Sequence, residues 1–536
     1  MSASKDYKLT DLTVYVRGKK YDIRNLVAEF SWYESIDSAF IRCDISLLDS
    51  IQFDDELRGD EYISISFETF ASIKPKSSSG RGQKTPITYM LQLYKIGNVI
   101  KRERAKIYTL HCGSPELYNN EANRAFGAFG PNAKKPKIVE SMIVDYLRAP
   151  NKMKHKGAIE PYSNYNLVSP NWRPVDVIGY LSDKVVRKDG SKNRAGKKTQ
   201  QSGFLFYENR LGYNFHSMDF LCEQDHIAEY TYSQANVNDN DQSVNAFRIE
   251  TIRYPDRLNH LEKMRSGTYK TCTYGIVMNA TTESYVPQPA LTSSELFDDY
   301  TAAGNSYLPP TNESRVKSLG IDQFSSALDQ QRTSSKSFFG PGGTESFVYE
   351  PKTKINNYGK SDRQIELAEK HGKTAGTVSG PIVTELLELF KIASTLEKHP
   401  PFDTEKIKEY QEYWPTRTKF KILPKYKDQS ANAPNGGADD MPDNVLLASS
   451  YSAARYSLLN TLTLSITVPG NTALYAGCVV KVTLPESQQK GKRVPNDLLY
   501  SGRYLVKGLK HVYTKEGITT ELHLTRDSVP KLDTKR

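Results

Sequence analysis

The stretch Gly203 to Leu221, GFLFYENRLGYNFHSMDFL, constrains the fold of this chain more than any other. Phe204, Leu205, Phe206 and Tyr207 form an apolar, aromatic run of the kind a strand covered on both faces requires. Asn209, Arg210, Leu211 and Gly212 follow as a short turn, with Gly212 free to take a positive φ. Tyr213, Asn214, Phe215 and His216 then alternate, which predicts one aromatic and one polar face. The pattern predicts a β-hairpin, closed by Asp219, Phe220 and Leu221. Upstream, Asn171-Trp172-Arg173-Pro174 leads into Val175 to Val186. Pro174 suits a first helical position, and Val177, Ile178, Leu181 and Val185 fall on one stripe.

Strand patterns flank this unit on both sides. In the first domain, residues 1–114, six segments alternate: Leu12 to Val16, Leu26 to Tyr33, Ala39 to Leu48, Tyr62 to Phe67, Thr88 to Val99 and Ala105 to Cys112. The tract Lys74 to Pro86 reads as a loop between two of them. Six short strands at even spacing predict a closed barrel, which leaves no free edges. Residues 115–242 predict a mixed α+β domain with a further helix, Ile138 to Ala149, whose Val139, Ile143 and Tyr146 share a face. The basic stretch Arg187 to Lys198 (RKDGSKNRAGKK) reads as a solvated loop. It lacks interleaved aromatics and does not follow a strand as a phosphate-cradling loop would.

Strands return at Ala246 to Tyr254 and Tyr269 to Ala280, stop, and resume late in the chain. Leu462 to Val468 ends in the turn Val468-Pro469-Gly470-Asn471. Gly477 to Pro485, Ser501 to His511 and Thr519 to Arg526 follow, with a short helix expected over Tyr451 to Asn460. Residues 243–285 plus 446–528 therefore predict a second barrel of about six strands, split by an insertion at 286–445 and followed by a tail at 529–536. The insertion is polar. It carries an amphipathic helix at Pro381 to Lys398, a second from Asp403 to about Trp414, and a linker-like tract at Ser430 to Pro442. The fold class expected is mainly β with α+β parts.

Few chemistries are written into the chain. The five cysteines, Cys43, Cys112, Cys222, Cys272 and Cys478, are scattered without a C-x-x-C pair. That pattern supports neither a zinc ribbon nor a disulfide framework, and folding in a reducing cytoplasm accounts for it. Residues 1–11 hold no apolar leader core, and no run approaches the ~18 apolar residues of a membrane span. The net charge of +10 over 536 residues permits contact with nucleic acid without demanding it. His111-Cys112 and Cys222 with His226 are the only neighbours of metal-ligand type, too sparse for a site. His511 and His523 read as strand histidines. No acid pair stands out for glycoside hydrolysis, and neither a G-x-S-x-G elbow nor a G-x-x-x-x-G-K-[ST] loop occurs. No catalytic, cofactor-binding or metal residue is expected, and no cofactor.

Two regions together resemble a known family. One is the Pro174 helix followed by F-x-F-Y-E-N-x-x-G-Y-x-F. The other is V-P-G-N-x-x-L-x-x-G-x-V-V-x-V-x-L-P, S-G-R-Y-L-V-x-x-x-x-H and T-T-E-L-x-L-x-R-D-S near the end. They resemble the central tail-hub, or baseplate hub, proteins of contractile-tailed bacteriophages and the related spike hubs of contractile secretion systems. The resemblance covers about half the chain. One departure is Cys478, where the family often has an acid after the glycine. The resemblance implies a structural virion protein and no enzyme, with two similar barrels per chain in a homotrimer. Its implied partners are the tail-tube ring, the trimeric spike and other baseplate proteins, with DNA passing through the centre. It would be assembled in the host cytoplasm and reside in the tail baseplate. A secretion-system spike hub and a carbohydrate-binding or carbohydrate-degrading β protein are the alternatives. The nucleic-acid alternative predicts affinity that falls steeply with salt.

Overall fold

A computed structural model describes residues 7–69, 86–101, 105–131, 133–188, 201–232, 245–255, 260–266, 270–278, 283–287, 291–292, 395–397, 418–423, 442–486, 497 and 499–530. The first strands are β1 Tyr7–Val16, β2 Lys19–Asp22, β3 Val27–Ser35, β4 Arg42–Asp49, β5 Tyr62–Thr69, β6 Ile87–Lys101 and β7 Lys106–Gly113. All six strands expected in residues 10–114 are present, and β2 adds a small hairpin on β1. Alternation sets their faces. In β4, Cys43, Ile45 and Leu47 point inward and are fully buried, while Arg42 and Leu48 face out.

The middle of the chain contributes α1 Glu116–Ala122, β8 Ala125–Phe129, α2 Ile138–Ser141, β9 Leu167–Trp172, α3 Pro174–Ser182, β10 Phe204–Asn209, β11 Gly212–Ser217 and α4 Met218–Glu223. The helix expected over Ile138 to Ala149 is α2 followed by a π-helical turn, Met142–Tyr146. The Pro174 helix ends at Ser182, and Val185 is buried beyond it. Asp219 to Leu221 lie in α4, whose Ser217 hydroxyl caps it by accepting the Phe220 N–H.

The later strands are β12 His226–Thr231, β13 Thr251–Arg253, β14 Lys270–Met278, β15 Glu283–Pro287, β16 Leu291–Thr292 and β17 Thr418–Leu423. After them come α5 Pro442–Leu459, β18 Leu462–Pro469, β19 Val479–Thr483, β20 Gly502–Thr514 and β21 Gly517–Arg526. The protein is mainly β, and two expectations about the later strands are corrected. The Tyr269 to Ala280 strand, β14, pairs with β15, β16 and β17 in a separate sheet. Its place in the second module is taken by β12, which pairs in parallel with β19. The expected helix at 403–414 and most of the 381–398 helix, the 430–442 linker and the 74–86 and 187–198 loops lie outside the described residues; Thr395 to Glu397 are described and are not helical, and Pro442 opens α5. Among the described residues, no helix is long and apolar enough to cross a membrane.

The two modules have the same strand order. Leaving out β2, the first runs β1-β5-β6-β7-β4-β3 and the second β12-β19-β20-β21-β18-β13. In chain order within each module, both read first-fourth-fifth-sixth-third-second. One pairing differs, since β1–β5 is antiparallel and β12–β19 parallel. The match reaches side chains. Ser46, Thr109 and Gly97 lie in a row across β4, β7 and β6, and Ser465, His523 and Gly508 lie in a row across β18, β21 and β20. In each row the serine hydroxyl bonds the middle residue, at 3.2 Å to Thr109 and 3.1 Å to His523.

A seam joins the two modules. β3 pairs with β20 over seven residues, from Glu29↔Thr514 to Ser35↔Gly508. This seam makes one thirteen-stranded sheet, and one hydrophobic core runs from Leu12 and Phe30 through to Leu522 and Leu524. Phe30 stacks on Tyr513 at 4.6 Å across the seam. Each large side chain buried there stabilises the joint by about 1.5–3 kcal/mol.

Candidate functional site

The feature that ties the molecule together is the tip of the β10–β11 hairpin. Phe204 stacks on Phe215 at 4.7 Å and Phe206 on Tyr213 at 5.3 Å, so the hairpin is held by cross-strand aromatic pairs. Its turn is two residues, Arg210 and Leu211, between the pair Asn209↔Gly212. Asn209 Oδ1 accepts the Leu211 N–H at 3.0 Å, closing the turn. Gly212 has φ +125°, and a Cβ there would sit 2.1 Å from the Lys152 carbonyl oxygen. The expected polar face of β11 is not solvated, because Asn214 and His216 are buried with the rest of the strand.

The tip residues reach both β modules. Glu208 is fully buried and serves the first. Its Oε2 accepts the Ile41 N–H at 3.0 Å and the Ser114 hydroxyl. Its Oε1 accepts the Tyr89 hydroxyl and the Lys152 ammonium, the latter at 2.6 Å. Lys152 also bonds Glu116 at 2.6 Å and lies 4.6 Å over the Tyr89 ring. Asn209 serves the second module, donating from Nδ2 to the Ala476 carbonyl at 3.0 Å. The next contact involves all three bodies. Glu34, on β3, accepts N–H groups from Trp32 at 3.1 Å, Arg210 at 3.0 Å and Ala476 at 3.0 Å. Gly477 completes the fit, since a Cβ there would meet the Tyr207 hydroxyl at 2.4 Å.

Two further clamps act beside the tip. The turn at Pro469-Gly470-Asn471 docks on both modules: Asn471 N–H donates to Thr520 Oγ1 at 3.1 Å and Thr472 N–H to Thr69 Oγ1 at 2.9 Å. On α5, Arg455 bridges Asp219 of α4 and Asp527 after β21, and all three side chains are fully buried. Tyr451 donates to Asp219 at 2.9 Å, and the Leu396 N–H to Asp527 at 3.1 Å.

Burial dominates the electrostatics. It pushes the Glu34 carboxyl up to about 7, against the pull of its N–H donors. Burial also raises Asp219, with Arg455 opposing, and raises Glu116, with Lys152 opposing. His216 is lowered by burial to about 4. Its Nε2 lies 2.6 Å from the Gly157 carbonyl, which can only accept, so Nδ1 takes the Tyr207 proton. Because the folded pKa of Glu34 lies above its usual value near 4.5, its stabilising share is complete in acid and lost as pH rises toward 7. Replacing Glu34 by Gln removes that loss. Between pH 5 and pH 8, Glu34→Gln is expected to gain about 3 kcal/mol relative to the parent, at ~1.4 kcal/mol per pKa unit. Urea unfolding at the two pH values measures it. A difference that does not change with pH would mean the carboxylate stays charged.

The sequence candidates are spread across the fold. His111 faces outward and bonds Asp44 at 2.7 Å, while Cys112, next in the strand, points into the core. The Cys222 thiol is buried against Asp527 and His226 is half-buried on β12, and no metal-ligand cluster occurs among the described residues. His511 is buried against Thr520 and pushed by burial down to about 3; His523 lies on the outer face beside Ser465. Glu116 and Glu208 do converge, on Lys152, and both are buried, Glu208 on the hairpin itself. Of the basic loop, Arg187 is an internal cation, paired with Glu160 and Glu223. Of the clamp residues, Glu208 stands in the F-x-F-Y-E-N motif, which did not reveal its partners, while Glu34 and Arg455 carried no sequence signal beyond their setting among apolar neighbours.

No family model matches the sequence, and no curated protein matches it significantly. Among solved structures, similar chains are phage tail proteins and type VI secretion proteins. A tail protein from Neisseria meningitidis MC58 is 10% identical over 97% of this chain and 96% of its own, with a TM-score of 0.41. The 43 kDa tail protein of prophage MuSo2 from Shewanella oneidensis is 8% identical over 96% and 98%, with a TM-score of 0.39. The c3393 protein of E. coli, a type VI secretion component described as similar to the phage T4 tail proteins gp27 and gp5, is 8% identical over 97% and 76%, with a TM-score of 0.32.

Proposed function

We propose that this chain is a structural component of a contractile phage tail: the central baseplate hub, acting as a homotrimer. The observation that carries the reading is the repetition of one strand order in two modules of one chain. A three-fold assembly presents six like surfaces only if each subunit supplies two. The hairpin tip and the β3–β20 seam fix the two modules relative to each other, which such an adaptor needs. The sequence motifs around Gly203 to Leu221 and Val468 to Ser528 support the same assignment.

In this role the ring seats the six-fold tail tube on one side and holds the three-fold cell-puncturing spike on the other. Other baseplate proteins attach around it, and DNA passes through its centre. The chain performs no chemistry, and its place is the virion. Native mass measurement of the purified chain, alone and with tube and spike proteins, tests this. Three copies are expected in the assembled complex. A single copy per complex would overturn the proposal.

A further inference from the structure

Two cysteines face each other inside the first module. Cys43 on β4 stands directly opposite Cys112 on β7. Both are free thiols with no exposed surface. They belong to a row that runs Trp32, Cys43, Cys112, Leu93 across β3, β4, β7 and β6. All four side chains are fully buried, so the two thiols lie on the same, inward side of the sheet. The ladder fixes their spacing. The Ser114 N–H donates to the Ile41 carbonyl at 3.1 Å. By the alternation of an antiparallel pair, Arg42 and Gly113 then exchange no bonds, and Cys43 and Cys112 exchange both. Opposed residues of that kind have Cα atoms about 5.5 Å apart. A disulfide spans ~4.4–6.8 Å.

The pair is particular to this module. With the Ser46 and Ser465 rows aligned, the equivalent opposed positions of the second module hold Leu462 and Arg526. Elsewhere the Cys222 thiol lies against Asp527, and Cys272 stands opposite Thr418. Among the described residues, no other two cysteines oppose each other in a sheet.

We propose that Cys43 and Cys112 are a site of oxidative modification, where a small hydroperoxide such as hydrogen peroxide converts the two thiols to a disulfide that staples β4 to β7. One sulfur attacks the peroxide, breaks its O–O bond and becomes a sulfenic acid, and one water leaves. The second sulfur displaces the sulfenic oxygen, forming the S–S bond and releasing a second water. The two thiols give up two electrons and two protons, and one peroxide takes them up. Burial raises both thiols, so the attack is slow. The pair therefore stays reduced while the chain folds in a reducing cytoplasm, and the bond forms later in an oxidising medium. That timing rests on the tail reading above; the bond itself does not. The staple joins positions roughly seventy residues apart, and a loop of that length restricts the unfolded chain strongly.

The test exposes the full chain to hydrogen peroxide, unfolds it in N-ethylmaleimide and maps the digest by mass spectrometry without reductant. A pair of peptides holding Cys43 and Cys112 is expected at two hydrogens below the sum of its parts, and is expected to separate on reduction. The oxidised chain should melt about 5 °C above the reduced one, a rise that Cys43→Ala should abolish. The map itself needs no variant. Maleimide on both cysteines after prolonged exposure, sulfinic acid at either, or a bond from either to Cys222, Cys272 or Cys478 would overturn the proposal. None of these readouts depends on copy number. A missing disulfide leaves the trimeric reading intact, and a monomeric mass leaves the disulfide standing.

Discussion

Arg455→Leu is expected to destabilise the protein by about 3–5 kcal/mol, because it leaves two buried carboxylates without their cation. Arg455, Asp219 and Asp527 have no exposed side-chain surface, and they join α5 to α4 and to the end of β21. Burial already raises Asp219, and without the opposing guanidinium it rises further in the native state. Such groups contribute stability that is present at low pH and lost as pH rises through the folded pKa. The loss in the variant is therefore largest at neutral pH and smaller near pH 5. Adding Asp219→Asn and Asp527→Asn to Arg455→Leu removes the charges and should recover much of the deficit, a coupling that thermal unfolding of the set would read directly. A deficit that is the same at both pH values and unrelieved by the Asn changes would contradict the clamp.

Glu208→Ala should cost a comparable amount, about 3–5 kcal/mol. It strips acceptors from the Ile41 N–H and from the Tyr89 and Ser114 hydroxyls, and removes one of two anions from Lys152. Each buried donor left without a partner costs about 1–3 kcal/mol. Glu208→Gln keeps an acceptor oxygen in place and should lose less than half as much. The location of the loss matters as much as its size. The variant should expose the hairpin tip, so limited proteolysis should cut between β9 and β12 before either β module. Uniform cleavage throughout the chain would mean that the tip does not hold the modules.

Much of this architecture is legible in the sequence. Alternation at Cys43, Ile45 and Leu47 or at Leu464 and Ile466 marks strands because one face is buried. The Asn209-to-Gly212 turn reads correctly because its backbone requires a glycine there. What does not read is pairing. β12 alternates only over Ala228 to Thr231, and nothing local says that His226 to Thr231 lies beside Val479 to Thr483. β14 has as strong a strand pattern as its neighbours and still belongs to another sheet. The seam between Ser35 and Gly508 spans most of the chain length, and nothing local announces it. The clamps are equally hidden. Glu34 and Glu208 sit in strands as ordinary acids, and only the fold brings the N–H groups of Arg210, Ala476 and Ile41 onto them.

The pairing of one strand order with its copy is the claim from which the rest follows, and an image of the assembled ring tests it most directly. Averaged with three-fold symmetry only, the density is expected to show six β modules at one radius, with a sixth of a turn carrying the β1-β5-β6-β7-β4-β3 module onto the β12-β19-β20-β21-β18-β13 module. Modules at two different radii, or a rotation that fails to superpose them, would contradict the account.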